Sequence, residues 1–218
     1  MRKIIFTFTA FGLLLLIWIA YRAYTAPVYQ KINAAPINPS IDPIQTLVPG
    51  APTIPILFPE GEAQLTLLAE YRIAARICGK QGYSTPWASY VAPYDLCLAW
   101  GKLASDEIKG KVEFLQDTRW YTFRVEKHAP VDIAYVSSHS ANTHVIHAND
   151  NLLKAVSRLN VGDIVEMNGY LVNVEGKYKG GKIWWRTSTR RDDTGGGSCE
   201  VFYLTSLRLG DRLYGTPQ

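Results

Sequence analysis

The sequence has little methionine, histidine or cysteine: two, four and three residues in 218. Cys78, Cys97 and Cys199 are too few and too far apart for a dense disulfide framework or paired C-x-x-C metal knuckles. The count is odd. In an oxidising compartment Cys78 and Cys97 could pair across the loop between them, leaving Cys199 as a thiol. Excess charge is also lacking, the net charge being +4. Past residue 63 there are 19 Lys and Arg (23 less those at 2, 3, 22 and 31) against 16 Asp and Glu (19 less those at 42, 60 and 62). That balance is too even to mark a nucleic-acid binder by charge. Long apolar runs are absent beyond one at the N-terminus, which excludes a multi-span membrane protein. Proline is scarce after residue 63 because eight of the 12 prolines fall between residues 27 and 59.

The single apolar run covers residues 4–21 and contains no charged residue. Its 18 residues reach the lower range of a membrane-spanning helix, which takes about 20. The run is longer than the h-region of a cleaved signal, and no clean small-x-small site follows it. It is expected to be an uncleaved anchor behind a cytoplasmic head of residues 1–3. Arg2 and Lys3 before the run and Arg22 and Lys31 after it nearly tie the positive-inside count. With so short a head, the expected placement is a single-pass bacterial inner or cell membrane protein with its domain facing the periplasm or exterior. Residues 22–63 read as a Pro-rich linker, a semi-rigid spacer in which proline fixes φ and biases its predecessor to extended geometry.

Residues 64–218 read as a mostly β domain with one or two short helices. Residues 71–78 alternate large apolar and charged side chains, as a strand does. Residues 95–103 suit a helical turn. Residues 111–116 and 119–125 flank Asp117-Thr118 as a hairpin. Asn149, Asp150 and Asn151 supply a helix cap ahead of an apolar face made by Leu152, Leu153, Val156 and Leu159. Residues 161–174 form a strand expected to break at Asn168-Gly169. Residues 183–186 form another, and residues 200–207 one that is buried on both faces. Short strands with one inserted helix are similar to an OB-fold, a small closed barrel. That fold hosts many functions, so it names none.

Two polar clusters carry the chemistry. All four histidines lie between residues 128 and 147. His144, His147 and Asp150 have a spacing that would ligate zinc from a helix, but β-branched Val145 and Ile146 favour a strand, which sends the two histidines to opposite faces. No metal or other cofactor is expected. The second cluster, residues 184–200, holds Arg186, Arg190, Arg191, Asp192, Asp193 and three glycines before Cys199. A nearby guanidinium favours a thiolate, and cysteine catalysis needs a histidine partner. The candidate catalytic set is therefore Cys199, His144 and Arg190. The candidate binding set is Asn142, His147, Arg186, Arg191, Asp192 and Asp193. Both clusters also suit a structural role, with Arg–Asp pairs tying a hairpin and Cys199 in a core.

The order His, Cys, Arg (His144, Cys199, Arg208) on an anchored β domain is similar to sortase transpeptidases, which implies acyl transfer. Here, however, Cys199 begins a strand after glycines instead of ending one. The phrases at 140–148 (SANTHVIHA) and 185–200 (WRTSTRRDDTGGGSCE) resemble a group of uncharacterised bacterial proteins with one membrane span and one small C-terminal domain, with no assigned activity. Trp120, Tyr121, Phe123, Trp184 and Trp185, interleaved with Arg119, Arg124, Lys182 and Arg186, would also stack bases. The same aromatics fill a barrel core, and the expected location is wrong, so no nucleic acid is expected. The sequence points to a binding or assembly module of the cell envelope, with the membrane and an envelope protein as partners. The alternative is a Cys-His acyl-transfer enzyme.

Overall fold

A computed structural model describes residues 15–18, 25–84, 86–190 and 198–215. The apolar run at 4–21 lies almost wholly outside these residues; only residues 15–18 are described, and they are helical. Among the described residues no helix is long and apolar enough to cross a membrane.

Half of the structure is strand, with few short helices, as the sequence predicts. The strands are β1 (Gln30–Lys31), β2 (Ile44–Leu47), β3 (Thr53–Phe58), β4 (Gly61–Gly82), β5 (Tyr94–Ala99), β6 (Val112–Asp117), β7 (Trp120–Val125), β8 (Ser140–His147), β9 (Ile164–Tyr178), β10 (Gly181–Trp185), β11 (Glu200–Leu209) and β12 (Arg212–Gly215). The helices are α1 (Pro86–Val91), α2 (Ile133–Ser138) and α3 (Asp150–Ser157). Strands β6 and β7 form a separate hairpin; the others belong to one sheet. Within it β11 pairs with β8 in parallel and with β9 antiparallel, so β4, β5, β8, β11 and β9 each bond to two others of the five.

Strand β4 is the spine. One edge pairs with β9 from Gly61 to Arg76, and the other takes β3, β2 and β5 in turn. A bulge at Leu68 sets Leu67 against Val172 and Ala69 against Leu171. Two steps along β4 thus match one step along β9, and the buried face changes sides. Ala63, Leu65 and Leu67 join a core under α1 with Val172, Val174 and Trp185. Ala69, Tyr71, Ile73, Ala75 and Ile77 join a second, inner core with Phe202, Leu204 and Met167. The strand expected at 71–78 is part of one strand of 22 residues.

Helix α3 closes the inner core with Leu152, Ala155 and Val156, and its expected cap is formed: Asn149 Oδ1 accepts from the Leu152 amide at 3.0 Å. Of residues 95–103, expected to be a helical turn, 95–99 belong to β5, and Gly101–Ala104 turns as a 3-10 helix. The β6–β7 turn falls at Thr118-Arg119, one residue later than expected, with both residues at positive φ (49° and 70°).

The proline-rich segment departs most from expectation. It does not stand off as an extended spacer but straps the domain. Strand β1 pairs with β12, β2 and β3 pair with β4, and Trp100 Nε1 donates to Asp42 at 3.1 Å. Extended backbone that proline favours is also what a sheet edge accepts, and Pro55 sits on edge strand β3 where a missing N–H costs nothing.

Gly169 does not break β9. It lets β9 pass close to β11, since a Cβ there would collide with the Tyr203 backbone carbonyl. Gly169→Ala should therefore destabilise the domain by about 2–3 kcal/mol, the upper range for overpacking. Gly180→Ala, in the open β9–β10 turn at φ 79°, should cost only about 1 kcal/mol from backbone strain. Urea denaturation of the two variants checks the difference.

Candidate functional site

Alternation along β8 sends Ala141 and Val145 into the inner core and Asn142, His144 and Ile146 to the outer face. On β5, Asp95 stands opposite His144, and Cys97 opposite Asn142. On the other side the parallel register sets Val201 opposite His144. Cys199 then falls beside Asn142, whose Nδ2 lies 3.6 Å from Sγ. Two adjacent rows result, Cys97–Asn142–Cys199 and Asp95–His144–Val201. The sheet face that carries them is buried, with Asp95 fully so, His144 at 2% exposure and Cys199 at 9%.

A buried carboxylate needs a cation or several donors. The β6–β7 hairpin supplies the cation. Arg119 Nη1 lies 2.7 Å from Asp95 Oδ1 and 2.8 Å from the Ala92 carbonyl. Its guanidinium stacks over the Tyr83 ring at 3.8 Å and approaches Trp185 at 5.4 Å. Arg119 reaches in from the left-handed position of the Thr118-Arg119 turn, and Tyr83 Oη holds its backbone N–H at 2.9 Å. The same hairpin fixes Asn142. Gln116 Nε2 donates to Asn142 Oδ1 at 2.7 Å, and Asn142 Nδ2 donates to the Arg119 carbonyl at 2.9 Å.

His144 sits between Asp95 and Trp185. Its Nδ1 lies 2.9 Å from Asp95 Oδ1 without forming a hydrogen bond to it. Its ring centroid is 4.2 Å from that of Trp185. Asp95 Oδ2 and Gln116 Oε1 are buried with no hydrogen-bond partner among the described residues. A cavity of about 30 Å³ adjoins the cluster, lined by Trp100, Tyr121, Ser140, Arg190, Ser198 and Glu200. That is room enough for a water molecule.

No disulfide joins the cysteines. Burial pushes the Cys78 thiol up to about 11 despite nearby Arg76, and raises Cys97 well above its usual range, with Cys78 adding to the shift. Both remain protonated, and so poorly nucleophilic, at neutral pH. Burial also raises the Tyr121 phenol, which bonds Ser140.

The structure thus brings Cys199, His144 and Asn142 to one face, with Arg190 on the neighbouring cavity. His147, at the end of β8, falls on the opposite face. Arg186 lies away from this cluster, paired with Glu175 at 2.6 Å on the lining of a separate groove. Arg191, Asp192 and Asp193 lie outside the described residues. Sequence reasoning missed Asp95, Arg119 and Gln116 as site residues. Asp95 had one readable signal, a lone carboxylate in the apolar run at 94–100. The hairpin that meets it lies more than 20 residues away in sequence.

A second feature is open to solvent. Strands β3, β4, β9 and β10 turn their outer face into a groove of about 560 Å³, with Leu57 and Pro55 on one wall, Trp184 on the other, and Gln64, Glu175 and Lys182 between. Leu57 is 84% exposed and Trp184 68%. No protein family, curated protein or solved structure matches the chain.

Two outcomes follow, one for the buried cluster and one for His147 on the opposite face of β8. Asp95→Ala strands Arg119 and should destabilise the domain by about 3–5 kcal/mol, the range for breaking a buried pair, read by chemical denaturation. His147 gives the pH dependence. Burial lowers its pKa below the ordinary 6.5, with Asp150 partly opposing. Between 6.5 and the lower folded value the unfolded chain binds the proton and the folded one does not, so stability falls as pH falls through that window. His147→Gln should flatten that limb in denaturation curves taken across it.

Proposed function

We propose that the chain is a single-pass bacterial envelope protein whose domain faces the periplasm or exterior and works as a binding or assembly module. The apolar run at 4–21 supports the anchor. The cyclic pairing of β4, β5, β8, β11 and β9, with α3 inserted in the chain between β8 and β9, supports a closed barrel similar to an OB-fold. The observation that carries the binding role is the exposed groove between Leu57 and Trp184. Large apolar side chains this exposed on facing walls, with polar groups between them, are a recognition surface. The partner is an envelope protein, with Trp184 as the anchor residue that such interfaces favour.

The second reading is a cysteine acyl-transfer enzyme with Cys199 as nucleophile, His144 as base and Arg190 stabilising an oxyanion. One arrangement favours it: the Asp95–His144 couple shares its face with Cys199, in the way a carboxylate orients a catalytic imidazole. Against it, Asn142 contacts the sulfur and the β6–β7 hairpin covers the cluster.

Alkylation of Cys199 against pH separates the two. The binding role predicts a Cys199 that reacts more slowly than a peptide thiol from about pH 6 to about pH 9. Fast reaction persisting near pH 6, abolished in Cys199→Ser, would establish the enzyme. For the groove, a photo-crosslinking residue in place of Trp184 in envelope membranes should give a discrete adduct that Leu57→Asp removes. The same adduct in Leu57→Asp would sink the groove.

A further inference from the structure

We infer that the end of the domain formed by α3, β1 and β12 rests on an anionic lipid surface, so that the groove is displayed away from the membrane. This rests on the anchor reading of residues 4–21. Thr25 is where the described chain resumes, and it is already bound to the domain: Arg158 Nη2 donates to its hydroxyl at 3.3 Å. Three residues on, Asn151 clamps Val28 twice, with Oδ1 accepting from its N–H and Nδ2 donating to its carbonyl, both at 2.7 Å. From residue 21, where the apolar run ends, to Thr25 is four backbone steps. Even fully extended these span roughly 15 Å. The domain therefore has no long tether, and the face holding Thr25 and Val28 is the one that meets the bilayer.

The chemistry of that face fits. Asn151, Lys154 and Arg158 share one side of α3 by the helical repeat. Arg212 lies 5.5 Å over the Tyr29 ring, and its strand pairs with Lys31. Lys31, Lys80, Lys154, Arg158 and Arg212 stand with three carboxylates, Asp150, Asp163 beside Lys80, and Asp211, the last 3.5 Å from Lys31. Among these cations stand Val28, 76% exposed, and Tyr29, 49% exposed. Cations around an apolar residue and a tyrosine suit the headgroup layer, where charge meets phosphate and the aromatic ring sits at the interface.

Distance gives the rest. Lys80 Nζ caps α3 by donating to the Ser157 and Leu159 carbonyls, so the lower end of β4 lies at this face. The groove sits where Gly61 pairs with Tyr178, at the other end of β4. From Arg76 back to Gly61 is on the order of 50 Å along an extended strand.

The test uses the full wild-type chain in phosphatidylcholine vesicles with and without phosphatidylglycerol. An impermeant amine-acetylating reagent is applied and each lysine is read by mass spectrometry. Lys31 and Lys154 should react several-fold more slowly in the anionic vesicles, with Lys177, Lys179 and Lys182 unchanged. Lys154→Glu/Arg158→Glu, both outside the cores, should lose the protection at Lys31 in a chain that still unfolds cooperatively. Equal rates in both vesicles, or slowing of all five lysines together, would overturn the orientation while leaving the anchor intact. A chain that fails to float with either vesicle would overturn the anchor and the inference together.

Discussion

The β4–β9 ladder, and the one extra residue in it, is the constraint on which the rest depends. A strand of 22 residues is several times the usual length of about five to six, and no single core can cover it. The bulge at Leu68 resolves this by changing which face is buried. Below it β4 and β9 enclose the inner core, and above it they carry the core under α1. The bulge leaves backbone groups to satisfy, and the strap supplies them: the Val48 N–H donates to the Leu68 carbonyl, and the Leu67 N–H donates to the Pro52 carbonyl, each at 2.9 Å. The proline-rich segment is thus part of the ladder's hydrogen bonding.

The same division explains why a polar cluster is buried. The outer face of β5 and β8 would be solvated if the five strands stood alone. The β6–β7 hairpin and α1 cover it instead. Asp95 then has to be matched by a charge from the cover, and Arg119 matches it from a turn position where an Arg is strained. A hydrophobic pair of the same volume would be as stable or more so. The Asp95–Arg119–His144 arrangement therefore specifies how the hairpin docks. It also holds Asn142 against Cys199.

The groove owes its exposure to the other half of the ladder. Above the bulge the sheet is covered on one face only, so its side chains alternate between the core under α1 and solvent, as antiparallel strands do. Trp185 turns inward to pack against Trp87 and His144, and Trp184 is left outside by the same alternation.

The sequence by itself determined the β-rich class, the cap at Asn149, the doubly buried β11 and the strand character of β8, because each rests on local periodicity or a local hydrogen bond. It placed His144 and His147 on opposite faces for the same reason. The tertiary structure alone decided that the proline-rich segment straps the sheet, that β4 runs unbroken through Leu68, and that Gly169 marks a close crossing of strands. It alone brought Asp95, Arg119, Gln116 and Asn142 to one point beside Cys199. These features come from pairing between residues distant in the chain, and local preference cannot encode them: proline's extended geometry suits a spacer and a sheet edge equally, and a lone carboxylate in an apolar strand requires a cation without saying which one.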